Sequence, residues 1–381
     1  MGKRKHLGLF FKYNENWIGG TYYILNLVQA LNVLPDDEKP DISVISLNKT
    51  DFHYIKKETG YPYLFHVRDR STATLWEKAV NAFSLRLLKR KVIDRRLSDR
   101  FDLIFPNPAG NYFDLINDQK KAYWIPDFQE LHLPDFFHVD ELIQIKQRQI
   151  AQVYKAKKMV FSSLDAKRDF LTLYPYAKAK IYIVPFSVTH PNIKEIDFEG
   201  VAMRYAIDRP YYFIPNQFWI HKNQFIVIEA VKLLVADNED ILVVFSGKEN
   251  DYRSPEYADQ LKRMVREEGL ESNVKFLGFI DRKEQLVIMK NAISLIQPSL
   301  FEGWSTAIED AKALNIKIIA SELRVHFEQL TGRNDCILFN PHAAPDLAAA
   351  MAQIKEINPA PPIDYSLNNV THARAFCTLF A

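Results

Sequence analysis

Apolar and polar positions along the chain fall into two recurring patterns. Short, nearly continuous apolar runs such as HLGLFF (6–11), DISVISL (41–47) and DLIFPNP (102–108) have the length of buried strands. Other segments repeat apolar residues every three to four positions. In TYYILNLVQAL these are Ile24, Leu27, Val28 and Leu31, the stripe of an amphipathic helix. KAYWIPD (121–127), KMVFSS (158–163) and IYIVPFSV (181–188) predict further strands. FSLRLLKRKVIDRRL (83–97) predicts a basic helix with an apolar stripe of Leu85, Leu88, Val92 and Leu97. The alternation fades over 189–209, where Pro191 and then Pro210 act as breakers. It restarts with the strands YYFIPNQ, ILVVFSG, VKFLGF, ISLIQPS, IKIIAS and CILFNP. The helical segments NQFIVIEAVKLL, PEYADQLKRMVREEG, RKEQLVIMKNA, STAIEDAKAL and APDLAAAMAQI are interleaved with them or follow the last.

Strands alternating with helices, with few hairpin signals, predict parallel sheets covered on both faces. The break predicts two Rossmann-like, doubly wound α/β domains, 1–190 and 191–381, the last helix being able to pack back on the first domain. A length of 381 residues suits two cores better than one. In such sheets ligands sit beyond the carboxyl ends of the strands, which puts Gly19-Gly20, Asp127, Ser246-Gly247, Phe279 and Glu302 at the edges of a candidate site.

Composition narrows the class. With 48% apolar and 25% charged residues the chain reads as a soluble globular protein, and a net charge of +2 gives no ground for a nucleic-acid partner. Cys336 and Cys377 form no metal or redox spacing, and a reduced, cytoplasmic setting is the expectation. No run approaches the roughly 20 apolar residues of a membrane span. The chain lacks G-x-x-x-x-G-K-[ST], G-x-G-x-x-G and His-x-x-x-His, so P-loop, dinucleotide and zinc sites are not expected.

The densest candidate chemistry lies in LFEGWSTAIEDAKAL (300–314). Glu302 and Gly303 fall between a strand and a helix, and Trp304, Ser305 and Thr306 lead into that helix. Its first-turn amides would attract a phosphate, Gly303 would let a ligand approach closely, and Glu302 could accept from sugar hydroxyls. Glu309 has two readings. It could hold the vicinal diol of a ribose, or close the capping box Thr306-Ala-Ile-Glu309 on its own helix.

PSLFEGWSTAIEDAKALNIKIIAS resembles the signature of retaining GT-B glycosyltransferases of family 4, in the EGWST form. Most members of that family place seven residues between the two acids, whereas six separate Glu302 from Glu309. YYFIPNQFWIHKNQFIVIEAVKLL (211–234) resembles the family's first C-terminal strand, loop and helix. Lys222 stands where the family has a basic residue for the donor diphosphate, and Asn216-Gln217 where many relatives have an Arg. VVFSGKENDYR and VKFLGFIDRKEQLVIMKNA extend the match and imply a nucleobase at Phe279 and Ile280, with Gly247 close to the nucleotide. Gly19-Gly20 resembles the family's glycine-rich loop after the first strand. WIPDFQELHLPDFF (124–137) resembles a cleft-edge segment in which Glu130 and His132 compete to face the donor sugar.

The resemblance implies a GT-B fold and transfer of a sugar from a nucleotide-diphosphate donor to an acceptor hydroxyl. It further implies retention by a front-face route, in the hexosyltransferase class, in cell-surface polysaccharide synthesis. Glu302, Lys222 and His132 are then the catalytic candidates. Gly19, Gly20, Asn216, Gly247, Phe279, Ile280, Gly303, Trp304, Ser305, Thr306 and Glu309 would bind the donor, and Asp127 would lie on the acceptor side. No cofactor is expected, and no metal, since no Asp-x-Asp pair occurs. The implied partners are a nucleotide sugar and a glycan or lipid-linked acceptor.

Segment 83–97 holds Arg86, Lys89, Arg90, Lys91, Arg95 and Arg96 against Asp94, which suits peripheral contact with the inner face of a membrane. The alternative is a solvated helix whose apolar stripe packs on the N-terminal sheet. Two rival functions remain. A GT-B-shaped nucleotide-sugar epimerase would need extra acid/base carboxylates in the cleft. An inactive sugar-nucleotide-binding subunit would have no need of Lys222, Glu302 and Glu309.

Overall fold

The computed structural model describes residues 4–14, 18–68, 75–89, 92, 101–107, 118–362 and 364–381. The N-terminal part runs β1 (His6–Phe10), α1 (Ile18–Asn32), β2 (Asp41–Ser46), α2 (Lys49–Thr59), β3 (Leu64–Arg68), α3 (Leu75–Leu88) and β4 (Leu103–Phe105). It continues with β5 (Ala122–Trp124), α4 (Gln129–His132), α5 (Val139–Lys155), β6 (Lys158–Phe161), α6 (Leu164–Leu173) and β7 (Lys180–Ile183). The strands form parallel sheets of order β3-β2-β1-β4 and β5-β6-β7, joined by a single bridge between Ile104 and Lys121. Leu7, Leu9, Ile42, Val44, Leu103 and Phe105 are wholly buried, which explains why these strands read as continuous apolar runs.

The C-terminal part contains α7 (Phe198–Arg204), β8 (Tyr212–Ile214), α8 (Gln224–Ala236), β9 (Val243–Phe245), α9 (Tyr257–Glu267), β10 (Val274–Phe276) and α10 (Arg282–Lys290). Then follow β11 (Ser294–Gln297), α11 (Thr306–Ala313), β12 (Ile318–Ser321), α12 (Arg324–Leu330), β13 (Cys336–Phe339), α13 (Ala344–Gln353) and α14 (Ser366–Cys377). Its parallel sheet has the order β10-β9-β8-β11-β12-β13. The winding direction reverses between β8 and β11, so their carboxyl ends open a crevice where the two following loops diverge.

Two features depart from the sequence reading. The weakly patterned stretch 189–209 holds the short helix α7, whose N-cap Asp197 accepts from the amides of Glu199 and Gly200. The basic helix starts earlier than expected and ends at Leu88. Its expected inward stripe is not inward, for Leu85, Leu88 and Val92 are exposed and Ser84 is the buried residue of α3. Residues 90–91 and 93–97 of that segment lie outside the described residues.

The last helix crosses to the N-terminal core. Ala373, Phe376 and Leu379 are buried there beside Leu27 and Phe105, and Lys158 Nζ donates to the carbonyls of Leu379 (2.6 Å) and Ala381 (2.8 Å).

Candidate active site

Two loops at the switch point carry the central charge pair. After β8 the chain makes a tight helical turn, Ile220–Lys222, that ends at Asn223 with φ 58°. The Asn223 amide donates to the carbonyls of Pro298 (3.1 Å) and Pro341 (2.9 Å), fastening this turn to the loop after β11. Lys222 therefore projects toward Glu302 from across the crevice, and Nζ meets Oε1 at 2.6 Å. The same oxygen accepts from Gln297 Nε2 and Ser299 Oγ, each at 2.7 Å. Burial alone would push the Glu302 carboxyl up, but the Lys222 charge and the hydrogen bonds from Lys222 and Ser299 outweigh it and hold the group below the usual range. Three donors and two strand ends leave this carboxylate little freedom.

The pair lies in a cleft of about 1190 Å³ between the two halves of the molecule. All the residues expected at the site line this cleft except Ser246, Glu309 and His132. Several occupy it for reasons other than those expected. Gly19 and Gly20 do not form a loop; they are in the first turn of α1, whose N-terminus faces the cleft. A Cβ at Gly303 would fall 2.7 Å from Asp127 Cβ and 2.8 Å from the Pro126 carbonyl, so this glycine lets the end of β5 press against the Glu302 loop. Gly247 has φ 152° and a Cβ there would lie 2.2 Å from the Asn216 carbonyl, so its role is the close passage of two strand ends. The Trp304 indole packs into the N-terminal core and donates to the Phe186 carbonyl at 3.1 Å.

The start of α11 shows what surrounds Glu309. Ser305, not Thr306, is the N-cap, its hydroxyl accepting from the Ile308 amide, and the Ser305 amide donates to Gln329 Oε1. No capping box forms. Glu309 is 2% exposed and turned from the cleft, accepting from Lys312 Nζ (2.9 Å), Gln329 Nε2 (3.0 Å) and the Tyr365 hydroxyl. The acid that faces the cleft is its neighbour Asp310, paired with Arg282 at 2.6 Å and His190 at 2.9 Å. Arg282 and then His190 overcome the effect of burial and hold Asp310 below its ordinary range. Seven residues, 303–309, separate Glu302 from Asp310. That is the spacing most members of the resembled family have, and in the sequence the acid at 309 competes with it.

His132 is likewise directed elsewhere. It pairs with Asp169 at 2.6 Å and stacks on Phe301, ring centroids 5.1 Å apart, along the seam between the halves. Of the two competing residues it is Glu130 that lines the cleft, bonded by the Gln149 amide. Asp127 accepts from the Gln129 amide and has no cation pair among the described residues; burial, reinforced by Glu130 and Glu302, pushes its carboxyl up to about 6. Asn216 Nδ2 and Gln129 Nε2 are buried donors in the cleft wall with no partner among the described residues, the condition a bound ligand would relieve. Phe279, 72% exposed, and Ile280 stand on the C-terminal wall.

Parallel sheets, a cleft between them and an ion pair at the switch point make the setting in which open α/β sheets bind ligands. Residues 205–363, the stretch that supplies Lys222, Glu302 and Asp310, match the domain described as Glycosyl transferases group 1. In sequence the chain is 23% identical over 233 residues to the O-antigen chain mannosyltransferase RfbU of Salmonella typhimurium, covering 61% of this chain and 60% of that protein. Among solved structures a glycosyltransferase of Rickettsia africae superposes with a TM-score of 0.65 at 14% identity, covering 100% of this chain and 95% of the other. Anabaena HepE, in complex with UDP and glucose, gives 0.62 at 15% identity, over 99% and 95% of the two chains. The fold is GT-B.

Proposed function

We propose that the protein transfers a sugar from a nucleoside-diphosphate donor to a hydroxyl of a glycan or lipid-linked acceptor, with retention, in cell-surface polysaccharide synthesis. The observation that carries this is the Lys222–Glu302 pair at the switch point, inside the matched domain and in the wall of the cleft. Lys222 would neutralise charge on the departing diphosphate, with the amides at the N-termini of α1 and α11 sharing the load. Glu302, fixed by three donors, would orient sugar hydroxyls. Asp310, not Glu309, would take the ribose diol, exchanging part of its contact with Arg282. The base would lie against Phe279 and Ile280, and Asn216 would donate to the nucleotide. No metal enters this reading.

The test is a panel of nucleoside-diphosphate sugars scored by thermal shift, since a ligand that binds only the folded state raises its melting point. At least one sugar nucleotide should shift it; a flat response across the panel would contradict the reading.

We also propose that α3 touches an anionic membrane. Leu75, Trp76, Phe83 and Leu87 are exposed on it beside Arg86 and Lys89. Vesicles with anionic lipid should retain more protein at low salt than neutral ones, and equal retention would reject the contact.

A further inference from the structure

The cleft wall opposite the donor residues is one face of α5. Glu141, Ile145, Arg148, Gln149 and Gln152 all line the cleft, at a spacing of one helical face. Part of this face is rigid. Gln149 is 5% exposed, donates to Glu130 Oε1 and accepts from the Tyr174 hydroxyl, so its amide is locked between two helices and cannot rotate away. Glu141 accepts from Tyr252 at 2.9 Å, tying the outer end of the face to the C-terminal half.

The cations around the cleft differ in one respect. Lys222 is paired with Glu302, Arg282 with Asp310 and Arg253 with Asp251. Arg148 lines the same cleft, is exposed, and has no acidic partner among the described residues. A guanidinium presents a planar fork of donors suited to a phosphate or carboxylate. It stands on α5 of the N-terminal half, whereas Asn216, Gly247 and Phe279, where the nucleotide is proposed to lie, belong to the C-terminal half.

We infer that the α5 face is an acceptor subsite in which Arg148 binds an anionic group of the acceptor, a phosphate or carboxylate near the accepting hydroxyl, while the Gln149 side receives sugar hydroxyls. This rests on the glycosyltransferase reading above. The shared chemistry could come from a lipid diphosphate carrying the acceptor sugar or from an acidic sugar in the glycan.

The experiment compares three synthetic acceptors bearing the same sugar configuration: a monosaccharide on an alkyl diphosphate, a uronic acid alkyl glycoside and a neutral alkyl glycoside. Arg148→Gln should raise KM at least tenfold for one anionic acceptor, leaving KM for the neutral acceptor and KM for the donor unchanged. Arg148→Lys should recover part of the loss, and the anionic KM of the parent should climb with salt. Which anionic arm responds identifies the source of the charge. Equal effects on charged and neutral acceptors, or none, would overturn the subsite. If the parent transfers to none of the three, calorimetry of the two anionic compounds on donor-loaded protein decides, and absence of binding overturns it. Failure of the parent to bind any nucleotide sugar is a different result, and removes the underlying reading itself.

Discussion

Adjacent acids at 309 and 310 have opposite surroundings, and the difference is measurable. Both are buried, but Glu309 is enclosed by Lys312, Gln329 and Tyr365, whereas Asp310 lies in the cleft wall paired with Arg282 and His190. Glu309→Gln should lower stability by about 1–3 kcal/mol, as expected when a buried charged acceptor is removed, with donor affinity unchanged. Asp310→Asn should weaken donor binding about tenfold or more; calorimetry and thermal melts on both variants separate the effects. The reverse assignment would follow if Glu309→Gln lost affinity at unchanged stability. Asp127 supplies a pH signature. Its native carboxyl stands at about 6, against about 3.9 in an unfolded chain. The folded state therefore holds this proton more tightly. The stability it contributes is fully present below about pH 4 and is lost as pH rises through about 6. Relative to the parent, Asp127→Asn should gain melting temperature between those values and hold the gain above them. A difference that does not change with pH would show that Asp127 ionises normally.

Elements were legible in the sequence where burial is two-sided. β1, β2, β8, β9, β11 and β12 are buried almost throughout and appeared as apolar runs. β3 is an edge strand, half exposed, and its LFHVR sequence gave no such run. α12, RVHFEQL, spans barely two turns, too few to show a period. α5 escaped for a functional reason. Its cleft face is mostly polar, with Ile145 its one apolar residue among Glu141, Arg148, Gln149 and Gln152, and its exposed positions include Ile143, Ile150 and Tyr154, so apolar residues do not mark an inward stripe. The Lys222 and Glu302 loops were legible because turn residues follow clear strands. The contacts of His132 and Glu309 were not, since Asp169 and Tyr365 lie 37 and 56 positions away. Crossing of α14 to the N-terminal core has a direct consequence. Ending the chain at Tyr365 would uncover the pocket filled by Phe376 and Leu379, worth roughly 1.5–3 kcal/mol for each side chain. Denaturant titration should show the N-terminal half losing stability by several kcal/mol; an unchanged midpoint would mean that α14 contributes no net packing.

At the scale of the molecule, the halves meet along a seam beside the cleft. Arg324 pairs with Asp165 at 2.9 Å, Glu328 accepts from the Leu164 and Asp165 amides at the start of α6, and Trp304 reaches Phe186. Gly303 lies too close to Pro126 and Asp127 to carry a side chain. Adding one methyl there collides with backbone and Cβ atoms and should cost about 1–3 kcal/mol if the halves stay together. Opening the seam avoids that cost. Gly303→Ala should thus retain nucleotide binding but turn over slowly, because closure excludes water and completes the site. Normal turnover would show that this contact is not needed during reaction. The central claim is that Lys222 and Glu302 serve sugar transfer from a nucleotide donor. Proton NMR can follow a nucleoside-diphosphate sugar from the thermal-shift panel, incubated in EDTA with a cell-extract acceptor and either the parent or Lys222→Met. We predict release of nucleoside diphosphate by the parent, slowed about 10²–10³-fold in the variant while the variant still binds donor. A parent that consumes no nucleotide sugar, or a folded variant that matches it, would contradict the account.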